Sequence, residues 1–375
     1  MNRNFILAIF ANTFSISGIN VLIPVLPVYF LKITNNPAAM GCLIGVTSLT
    51  AFLLRPVSFT LLNRISIKNA LITSSLILAI IVFLYFFNKR FIPLLLLRIV
   101  FGLAFVLFSI SSWSLIGTTI PSEKKGFAIS IYTISFQLPS FYAQLIGTKL
   151  SGFMPYLVAG SFLLASAVLC IFMNDIRHSD EEDKHGFFKT FFSRDLLIPG
   201  IVFFLIMLAD ASITVFLPIV AQIRTISDYG LYFTIFSVST IIFRLIFGKY
   251  YSFSNYGKFV LLGLVIMLFS FILTGLSKTL VLLLISGFLY GVGLAFVGPN
   301  MYAMVLERLK HFHINQVIAG YGGFVDLGAA LGPLLMGIIY QYFKDYGLYI
   351  FSAILIFIGL IVKKVYLKRS EYVRV

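Results

Sequence analysis

The sequence predicts an all-α membrane protein with twelve transmembrane helices arranged as two pseudo-symmetric six-helix bundles. Its composition, its apolar stretches and an internal repeat support this prediction. Sixty per cent of the 375 residues are hydrophobic, 11% are charged, and the mean hydropathy is +1.02. A soluble fold of this length has too little interior for so many apolar side chains, so the solvent around the chain must be lipid.

Apolar stretches long enough to cross a bilayer occur twelve times, and no interval between them is long enough for a soluble domain. Because lipid offers backbone groups no hydrogen-bond partners, each stretch is predicted to be a helix. The stretches run over about 5–30, 38–62, 69–88, 91–119, 127–149, 153–173, 196–221, 228–249, 257–277, 279–305, 316–340 and 346–366.

The Lys and Arg residues predict the orientation in the membrane. If both termini are cytoplasmic, 18 of the 28 basic residues lie on the cytoplasmic side and 7 on the outer side. The remaining three, Arg55, Arg98 and Arg244, lie within spans. This bias follows the positive-inside rule, which explains the basic composition better than nucleic-acid binding does.

The longest connection between spans divides the chain into two domains. It runs over 174–195 and contains an acidic run at 180–183, followed by phenylalanine pairs beside Lys189 and Arg194. Such a pattern is typical of a short helix lying in the membrane interface. We therefore predict a bundle over 1–173, a cytoplasmic linker with an interfacial helix over 174–195, and a bundle over 196–375.

The two halves match at an offset of 189 residues. Arg55 falls on Arg244, and the segment 94–102 falls on 283–291. Both pairs lie in spans of equal rank, two with eight and four with ten. One six-helix unit therefore occurs twice, as in the parallel halves of large carriers. Arg98 is not duplicated, because Gly287 takes its place.

Four features together resemble the major facilitator superfamily of transporters: twelve spans, the six-plus-six repeat, Arg98-x-x-x-Gly102 in span four, and an Arg-Pro turn after span two. The segment 121–139 is further similar to bacterial drug and metallophore exporters. This resemblance implies a secondary transporter of a small organic solute in the bacterial cytoplasmic membrane, and not an enzyme. The chain departs from the family pattern in the loop after span two and by Leu138-Pro139 in span five.

Arg98 is the costliest charge in the chain. It lies within an apolar run, and the first acidic residue of the sequence is Glu123. A guanidinium at bilayer depth costs at least about 2.5–3.5 kcal/mol on insertion scales, so such a residue usually has a role. It resembles the family's span-four arginine, which implies a part in proton movement. The open alternatives are an anchor for an anionic substrate group, a modulator of a carboxylate, or hydrogen bonding to backbone carbonyls and Gln137.

Asp210 and Asp326 are the two acids that lie deep within apolar runs, in spans seven and eleven. A carboxylate in the membrane can take up and release a proton, which suits coupling to a proton gradient. We therefore expect Asp210, Asp326 and Arg98 to couple transport to protons. The alternative is a structural role in which each carboxylate accepts hydrogen bonds or pairs with Arg98.

Two further sets of residues are candidates for substrate binding and gating. Amide and aromatic side chains in spans that line the cavity of this family indicate an amphipathic or zwitterionic ligand, although each could instead bond one helix to another. The substrate-binding candidates are Asn12, Asn20, Trp113, Tyr132, Gln137, Asn300, Tyr302 and Tyr321. The gating candidates are Arg55, Arg64, Arg244, Gly248, Gly332 and Pro333.

Other classes of function have no support in the sequence. It contains no phosphate-binding Gly-x-x-x-x-Gly-Lys-Ser/Thr loop and no histidine spacing that indicates a metal site. We predict a monomer without cofactors or nucleic-acid partners, whose partners are a small-molecule substrate, protons and the lipid bilayer. Proton-driven efflux is favoured. The alternatives are proton-coupled uptake of a nutrient or siderophore, and a channel or membrane scaffold.

Overall fold

A computed structural model describes residues 3–62, 65–119, 125–175, 186–250, 256–309 and 314–372. Within these residues the regular structure is helical, without a strand. The predicted all-α fold with twelve membrane helices is confirmed, since every predicted span coincides with helix. Nine stretches of the described residues are both long and apolar enough to cross a membrane, and the last of them contains two spans.

The first half contains spans one to six and a short connecting helix. Span one consists of two helices, because three residues containing Pro24 form a turn between them. The helices are α1 (Arg3–Leu22), α2 (Leu26–Thr34), α3 (Pro37–Leu62), α4 (Ile67–Phe87), α5 (Phe91–Thr119), α6 (Lys125–Lys149), α7 (Met154–Ile171) and the short α8 (Gly186–Phe191).

The second half repeats this order. Span seven is again two helices, and the second begins with Pro218 in its first turn. The helices are α9 (Arg194–Thr214), α10 (Leu217–Ile223), α11 (Leu231–Phe247), α12 (Tyr256–Leu276), α13 (Leu280–Arg308) and α14 (Ile314–Tyr372). Lys344 interrupts α14 with φ 57° and ψ −156°, and this residue separates span eleven from span twelve.

The chain forms two compact units. Unit 1 comprises Met1–Thr34 and Val46–Lys184, and unit 2 comprises Asn35–Gly45 and His185–Val375. The first turns of α3 therefore pack with unit 2, although the rest of this helix belongs to unit 1. The domain boundaries drawn from the sequence, at 173/174 and 195/196, stay a prediction.

Each unit has its own packing. In unit 1, α1 packs against α6 and α7, and α4 packs against α5 and α7. In unit 2, α9 packs along α14, and α12 packs against α13 and α14. The short helix α8 packs on α9 and α14, where the Phe191 ring stacks on Phe324 at 4.4 Å. Its predicted place in the membrane interface stays a prediction.

The internal repeat is visible in the helix contacts. A Cβ atom on Gly102 would lie 2.6 Å from the Thr47 carbonyl oxygen and 2.9 Å from the Thr50 side chain. At Gly291 it would collide with the corresponding residues, at the Phe236 carbonyl and the Ser239 hydroxyl. Both residues of each contact in unit 1 therefore have a counterpart in unit 2 that lies 189 residues later in the chain. In both units glycine allows the second and fourth spans to approach closely.

Candidate functional site

Arg98 lies in an aromatic cluster of unit 1 that three helices build. The Arg98 side chain is buried, with its guanidinium carbon 5.9 Å from the ring centroid of Phe30 on α2 and 5.6 Å from that of Phe101 on α5. Tyr85 on α4 completes the cluster, with its ring 6.1 Å from both phenylalanine rings. Ring faces attract a desolvated cation, so this cluster lowers the cost of the buried charge.

The amides of span one form a polar seam between α1 and α6. Asn12 donates to the Ser135 hydroxyl at 2.7 Å, and Gln144 donates to the Asn20 carbonyl oxygen at 3.2 Å. Asn20 in turn donates to Ser140 at 3.4 Å. These bonds join α1 to α6. Asn12 and Asn20 therefore bond one helix to another, which was the alternative to substrate binding in the sequence analysis. Their part in substrate binding stays a prediction.

Trp113, Tyr132 and Phe136 form the second aromatic group of unit 1. The Trp113 ring lies 4.9 Å from Tyr132 and stacks on Phe136 at 6.1 Å with an interplanar angle of 16°. Tyr132 is buried and donates to Ser112, whereas Trp113 is half-buried. Gln137 follows Phe136 on α6 and is also half-buried. The predicted residues Trp113 and Tyr132 are therefore neighbours, and α6 carries Gln137 beside them in sequence.

The substrate candidates of unit 2 include a second aromatic group. Tyr321 on α14 lies 5.8 Å from Tyr302 on α13 and 5.2 Å from Phe203 on α9, measured between ring centroids. Asn300 is buried and donates to the carbonyl of Phe296 on its own helix. Within the described residues, the Tyr321 hydroxyl and the Asn300 Oδ1 atom meet no hydrogen-bond partner. These two buried polar atoms therefore keep unused hydrogen-bonding capacity, and their part in substrate binding stays a prediction.

Asp210 on α9 accepts a hydrogen bond from the Tyr290 hydroxyl on α13. Tyr290 is fully buried, and Asp210 is half-buried. Tyr290 occupies the repeat position of Phe101, so only the second unit has a hydroxyl at this place. The pair was not predicted, although a tyrosine in an otherwise apolar span was the available signal.

Asp326 is half-buried on α14, the helix that packs along the Asp210 helix. The glycines that follow it allow this packing. A Cβ on Gly328 would lie 2.8 Å from the Phe204 carbonyl oxygen, and one on Gly332 would lie 3.1 Å from that of Met207. The two candidate acids thus belong to adjacent helices of one unit.

The arginine and glycine gating candidates have different surroundings. Arg55 and Arg244 are half-buried, and an Nη atom of Arg244 lies 3.4 Å from the place of a Cβ on Gly298. A Cβ on Gly248 would meet no atom within 4 Å. Arg64 lies outside the described residues.

Pro333 takes part in a close contact between α14 and the first turns of α3. A Cβ on Gly41 would collide with the Pro333 carbonyl, and one on Gly45 would collide with the Ala330 carbonyl. On the opposite side, a Cβ on Gly337 would collide with Pro37. Three glycines thus bring two backbones into direct contact, with Pro333 at the centre.

Sequence reasoning missed a charged cluster at one end of unit 2. Arg224 forms a salt bridge with Asp345 at 2.9 Å and donates to the carbonyls of Thr274 at 3.0 Å, Gly275 at 2.7 Å and Ser277 at 2.6 Å. These carbonyls end α12. The two residues are 121 positions apart in the chain, so their contact carried no signal in the sequence.

The described residues hold no group of three or more His, Cys, Asp or Glu that could bind a metal ion. The histidines considered in the sequence, His178, His185, His311 and His313, lie outside them. Cys42 and Cys170 are free thiols.

The Major Facilitator Superfamily model matches residues 6–224 and 199–374, which together cover nearly the whole chain. The chain belongs to the Major Facilitator Superfamily. It is therefore a multi-pass membrane transporter of a small solute and not an enzyme.

Two relatives within this superfamily are bacterial exporters by name. The chain is 22% identical over 340 residues to the staphylopine export protein of Staphylococcus aureus, covering 85% of this chain and 84% of the relative. It is 26% identical over 263 residues to a probable sugar efflux transporter of Pasteurella multocida. That match covers 67% of this chain and 64% of the relative, somewhat less than two thirds of its length.

The superfamily fold is also found in a solved structure of a bacterial homologue of the human lysosomal transporter Spinster, in an inward-facing and unoccupied conformation. The TM-score is 0.77 at 14% sequence identity, and the match covers 97% of each chain. At this identity the likeness establishes the fold.

Proposed function

We propose that this superfamily member is a proton-driven exporter of an amphipathic or zwitterionic small molecule. The observation that carries the proposal is the Asp210–Tyr290 hydrogen bond inside unit 2. A carboxylate inside the membrane is costly when it is charged, so Asp210 can take up a proton, and the Tyr290 hydroxyl can donate to it when it is ionised. Asp326 on the adjacent helix is the second coupling candidate, and Arg98 in unit 1 is the third.

The side chains of both units support the substrate class. Unit 1 offers the Trp113 ring and the half-buried amide of Gln137, and unit 2 offers Tyr302 and Tyr321. Aromatic faces bind apolar or cationic parts of a ligand, whereas amides and hydroxyls bind its polar groups. The names of the two bacterial relatives support export as the direction.

The α3–α14 contact supports a gate at the glycines. If transport moves the part of α3 that belongs to unit 1, the first turns of this helix must either separate from Pro333 or bend away from the rest of α3. Proline and glycine allow a helix to bend there, because proline removes one backbone hydrogen bond. We include Arg55, Arg64, Arg244 and Gly248 in the gating proposal on the basis of the sequence alone.

Coupling is tested in proteoliposomes with an imposed pH gradient. Staphylopine and a disaccharide serve as probes, together with metabolites identified by untargeted profiling of a deletion strain. Asp210→Asn and Asp326→Asn should each abolish gradient-driven flux and leave exchange at zero gradient. Asp228→Asn is the matched control, because Asp228 is exposed and its positive φ of 56° suits asparagine equally well. Unchanged flux in both test variants would remove proton coupling from the proposal.

The same vesicles distinguish the alternatives. An importer accumulates substrate in the direction of the proton gradient, and collapsing the gradient in cells lowers their substrate content. An exporter shows the opposite change. A channel conducts without counterflow acceleration, and a scaffold tolerates Asp326→Asn without a transport phenotype.

The gate is tested by Gly337→Ala. The added methyl group would collide with the Pro37 carbonyl, which cannot rotate away, so the variant should disfavour the α3–α14 contact and lower transport. Full transport by Gly337→Ala would show that this contact takes no part in gating.

Placement in the bacterial cytoplasmic membrane with both termini cytoplasmic, and a monomeric state, belong to the same proposal. The excess of basic residues in the loops assigned to the cytoplasm supports the orientation. Protease access to tags at both termini in inverted vesicles tests it, and light scattering in detergent tests the monomer.

A further inference from the structure

Asp210 lies in the last turn of α9, at the place where span seven is interrupted. Helix α9 ends at Thr214, and the buried residues Val215 and Phe216 form a turn before α10 begins. The Thr214 hydroxyl donates to the Asp210 carbonyl oxygen at 3.1 Å within this last turn. Residues at the end of an element can act as a hinge. The hydrogen bond of the Asp210 side chain therefore acts directly beside a candidate hinge.

Tyr290, the donor to Asp210, is held in place by two other helices. Its ring lies 5.4 Å from that of Phe236 on α11 and 5.6 Å from that of Phe271 on α12, measured between centroids. Beside it, the Thr240 hydroxyl of α11 donates to the Gly291 carbonyl oxygen at 3.1 Å. Tyr290 itself is buried. Its hydroxyl therefore has a fixed position relative to α11, α12 and α13, whereas Asp210 belongs to α9.

Helix α9 packs along α14 in one constant register. The residues that meet are 124 positions apart in the chain. They are Leu196 with Gly320, Gly200 with Phe324, Phe204 with Gly328, Leu208 with Gly332, and Phe216 with Tyr340. In this register Asp326 lies beside residue 202, eight residues before Asp210 and about 12 Å from it along the helix axis. The two candidate acids therefore lie at different depths of the same helix pair.

The repeat separates the hydroxyl of Tyr290 from its ring. In unit 1 the position of Tyr290 is occupied by Phe101, and the position of Asp210 is occupied by Val21. The aromatic ring is therefore present in both units, but the hydroxyl is present only where the acid is present. Ring packing alone would be served by phenylalanine, so the hydroxyl has its function toward Asp210.

We propose that Tyr290 is a positioning residue that holds the end of α9 against α13 while Asp210 is ionised, and releases it when Asp210 takes up a proton. A hydrogen bond to an ionised acceptor is roughly twice as strong as one to a neutral acceptor. Proton uptake therefore weakens the bond between α9 and α13 and leaves the packing of α9 on α14 unchanged. This inference rests on the proposed function of Asp210 and names the residue that links its protonation to movement.

The other titratable and charged side chains around α9 lie on α8, α10, α11 and α14. They are Lys189, Arg224, Tyr232, Tyr321, Asp326 and Tyr340. Tyrosine ordinarily titrates near pH 10, and lysine and arginine titrate at higher pH. Among these six, Asp326 is therefore the group that a change between acidic and neutral pH can also protonate. Asp326→Asn shows which of the two acids causes an effect of pH.

Hydrogen–deuterium exchange of the full chain in lipid nanodiscs measures the opening of the segment 208–217. Labelling times are scaled to the chemical exchange rate at each pH. In the wild type this segment should exchange several-fold faster at acidic pH than at alkaline pH. Tyr290→Phe should exchange about tenfold faster than the wild type at alkaline pH, because it lacks a hydrogen bond to a charged group. It should also lose the dependence on pH.

Asp210→Asn provides a second variant, because its acceptor is uncharged at every pH. It should exchange fast and without dependence on pH, as Tyr290→Phe does. In proteoliposomes Tyr290→Phe should lower gradient-driven flux more than exchange of substrate at zero gradient. Tyr349→Phe is the control, because Tyr349 is equally buried in unit 2 and its hydroxyl meets no hydrogen-bond partner among the described residues. The thermal midpoint shows that each variant is folded.

Wild-type exchange in Tyr290→Phe, or the same loss of protection in Tyr349→Phe, would overturn the inference. A dependence on pH that disappears in Asp326→Asn and persists in Asp210→Asn would overturn it as well. The proposed function fails separately, if Asp210→Asn retains gradient-driven flux. The inference about Tyr290 alone fails if Asp210→Asn abolishes that flux while Tyr290→Phe keeps the wild-type dependence of exchange on pH.

Discussion

The two units satisfy the same helix end with different side chains. In unit 1 the Tyr29 hydroxyl lies 3.0, 3.3 and 2.9 Å from the carbonyls of Tyr85, Phe86 and Asn88, which end α4. In unit 2 the Arg224 guanidinium donates to the carbonyls that end α12, at residues 274, 275 and 277. The three carbonyl residues of unit 2, at 274, 275 and 277, each lie 189 residues after the corresponding carbonyl residue of unit 1.

The Tyr29 and Arg224 side chains differ in the number of hydrogen-bond donors and in charge. The last carbonyls of a helix have no partner within the helix and carry its negative dipole end. A phenol has one proton to donate, so three carbonyls share it. A guanidinium has five N–H groups and a positive charge, so it satisfies several carbonyls at once. The second unit thus has a stronger cap, and this cap also brings Asp345 to the edge of the helix bundle.

The largest effect is expected from Arg224→Met. It removes three carbonyl bonds and leaves Asp345 without its cation, so we expect a loss of roughly 3 kcal/mol in unfolding free energy. The thermal midpoint in detergent measures it. The double variant with Asp345→Asn should lose less than the sum of the two single variants, because it leaves no unpaired charge. Additive losses would contradict the paired cap.

A smaller effect in both units is expected from Gly102→Ala and Gly291→Ala, and it should be larger at Gly291, where the approach is closer. Each methyl group would collide with a backbone carbonyl, which cannot rotate away as a side chain can. We expect a loss of about 1–3 kcal/mol for each. Thermal midpoints compare the pair, and a loss in only one unit would contradict the repeat-related packing.

Tyr29→Phe should cost about 1 kcal/mol, the usual net value of one hydrogen bond. The ring contact with Tyr156, at 5.9 Å between centroids, remains in this variant. The thermal midpoint of Tyr29→Phe should fall by about a third as much as that of Arg224→Met. An equal fall would show that charge adds nothing to the cap of unit 2.

The smallest effect is expected from Gly248→Ala. Gly248 has helical angles, φ −54° and ψ −34°, and open space around its Cβ position. Alanine should therefore stabilise the protein by about 0.5 kcal/mol through the unfolded state. A flux assay on the same variant tests the gating proposal, because reduced transport with raised stability would assign Gly248 a functional role.

The sequence predicted the fold well because its strongest signals are local. Apolar stretches of sufficient length must be helical in lipid, and the match of Arg55 and 94–102 with the second half revealed the repeat. The breaks in spans one and seven and the turn at Lys344 required the structure. So did the assignment of Asn35–Gly45 to unit 2, since packing partners decide it.

The candidate site was predicted in part. Asp210 and the aromatic residues Trp113 and Tyr132 were named from the sequence, but Tyr290, Tyr85 and Arg224 were not. Arg98 illustrates the reason. The sequence showed an expensive charge without a nearby acid, and it could not show that rings from α2, α4 and α5 converge on it.

The sequence by itself determined a twelve-span, duplicated transporter, because hydropathy and backbone hydrogen bonding act along the chain. Only the tertiary structure decided which buried polar groups meet. A residue type does not record how each helix is rotated about its axis, so partners as distant as Asp210 and Tyr290, or Arg224 and Asp345, appear only when the helices pack. Those contacts distinguish two units that descend from one repeated pattern.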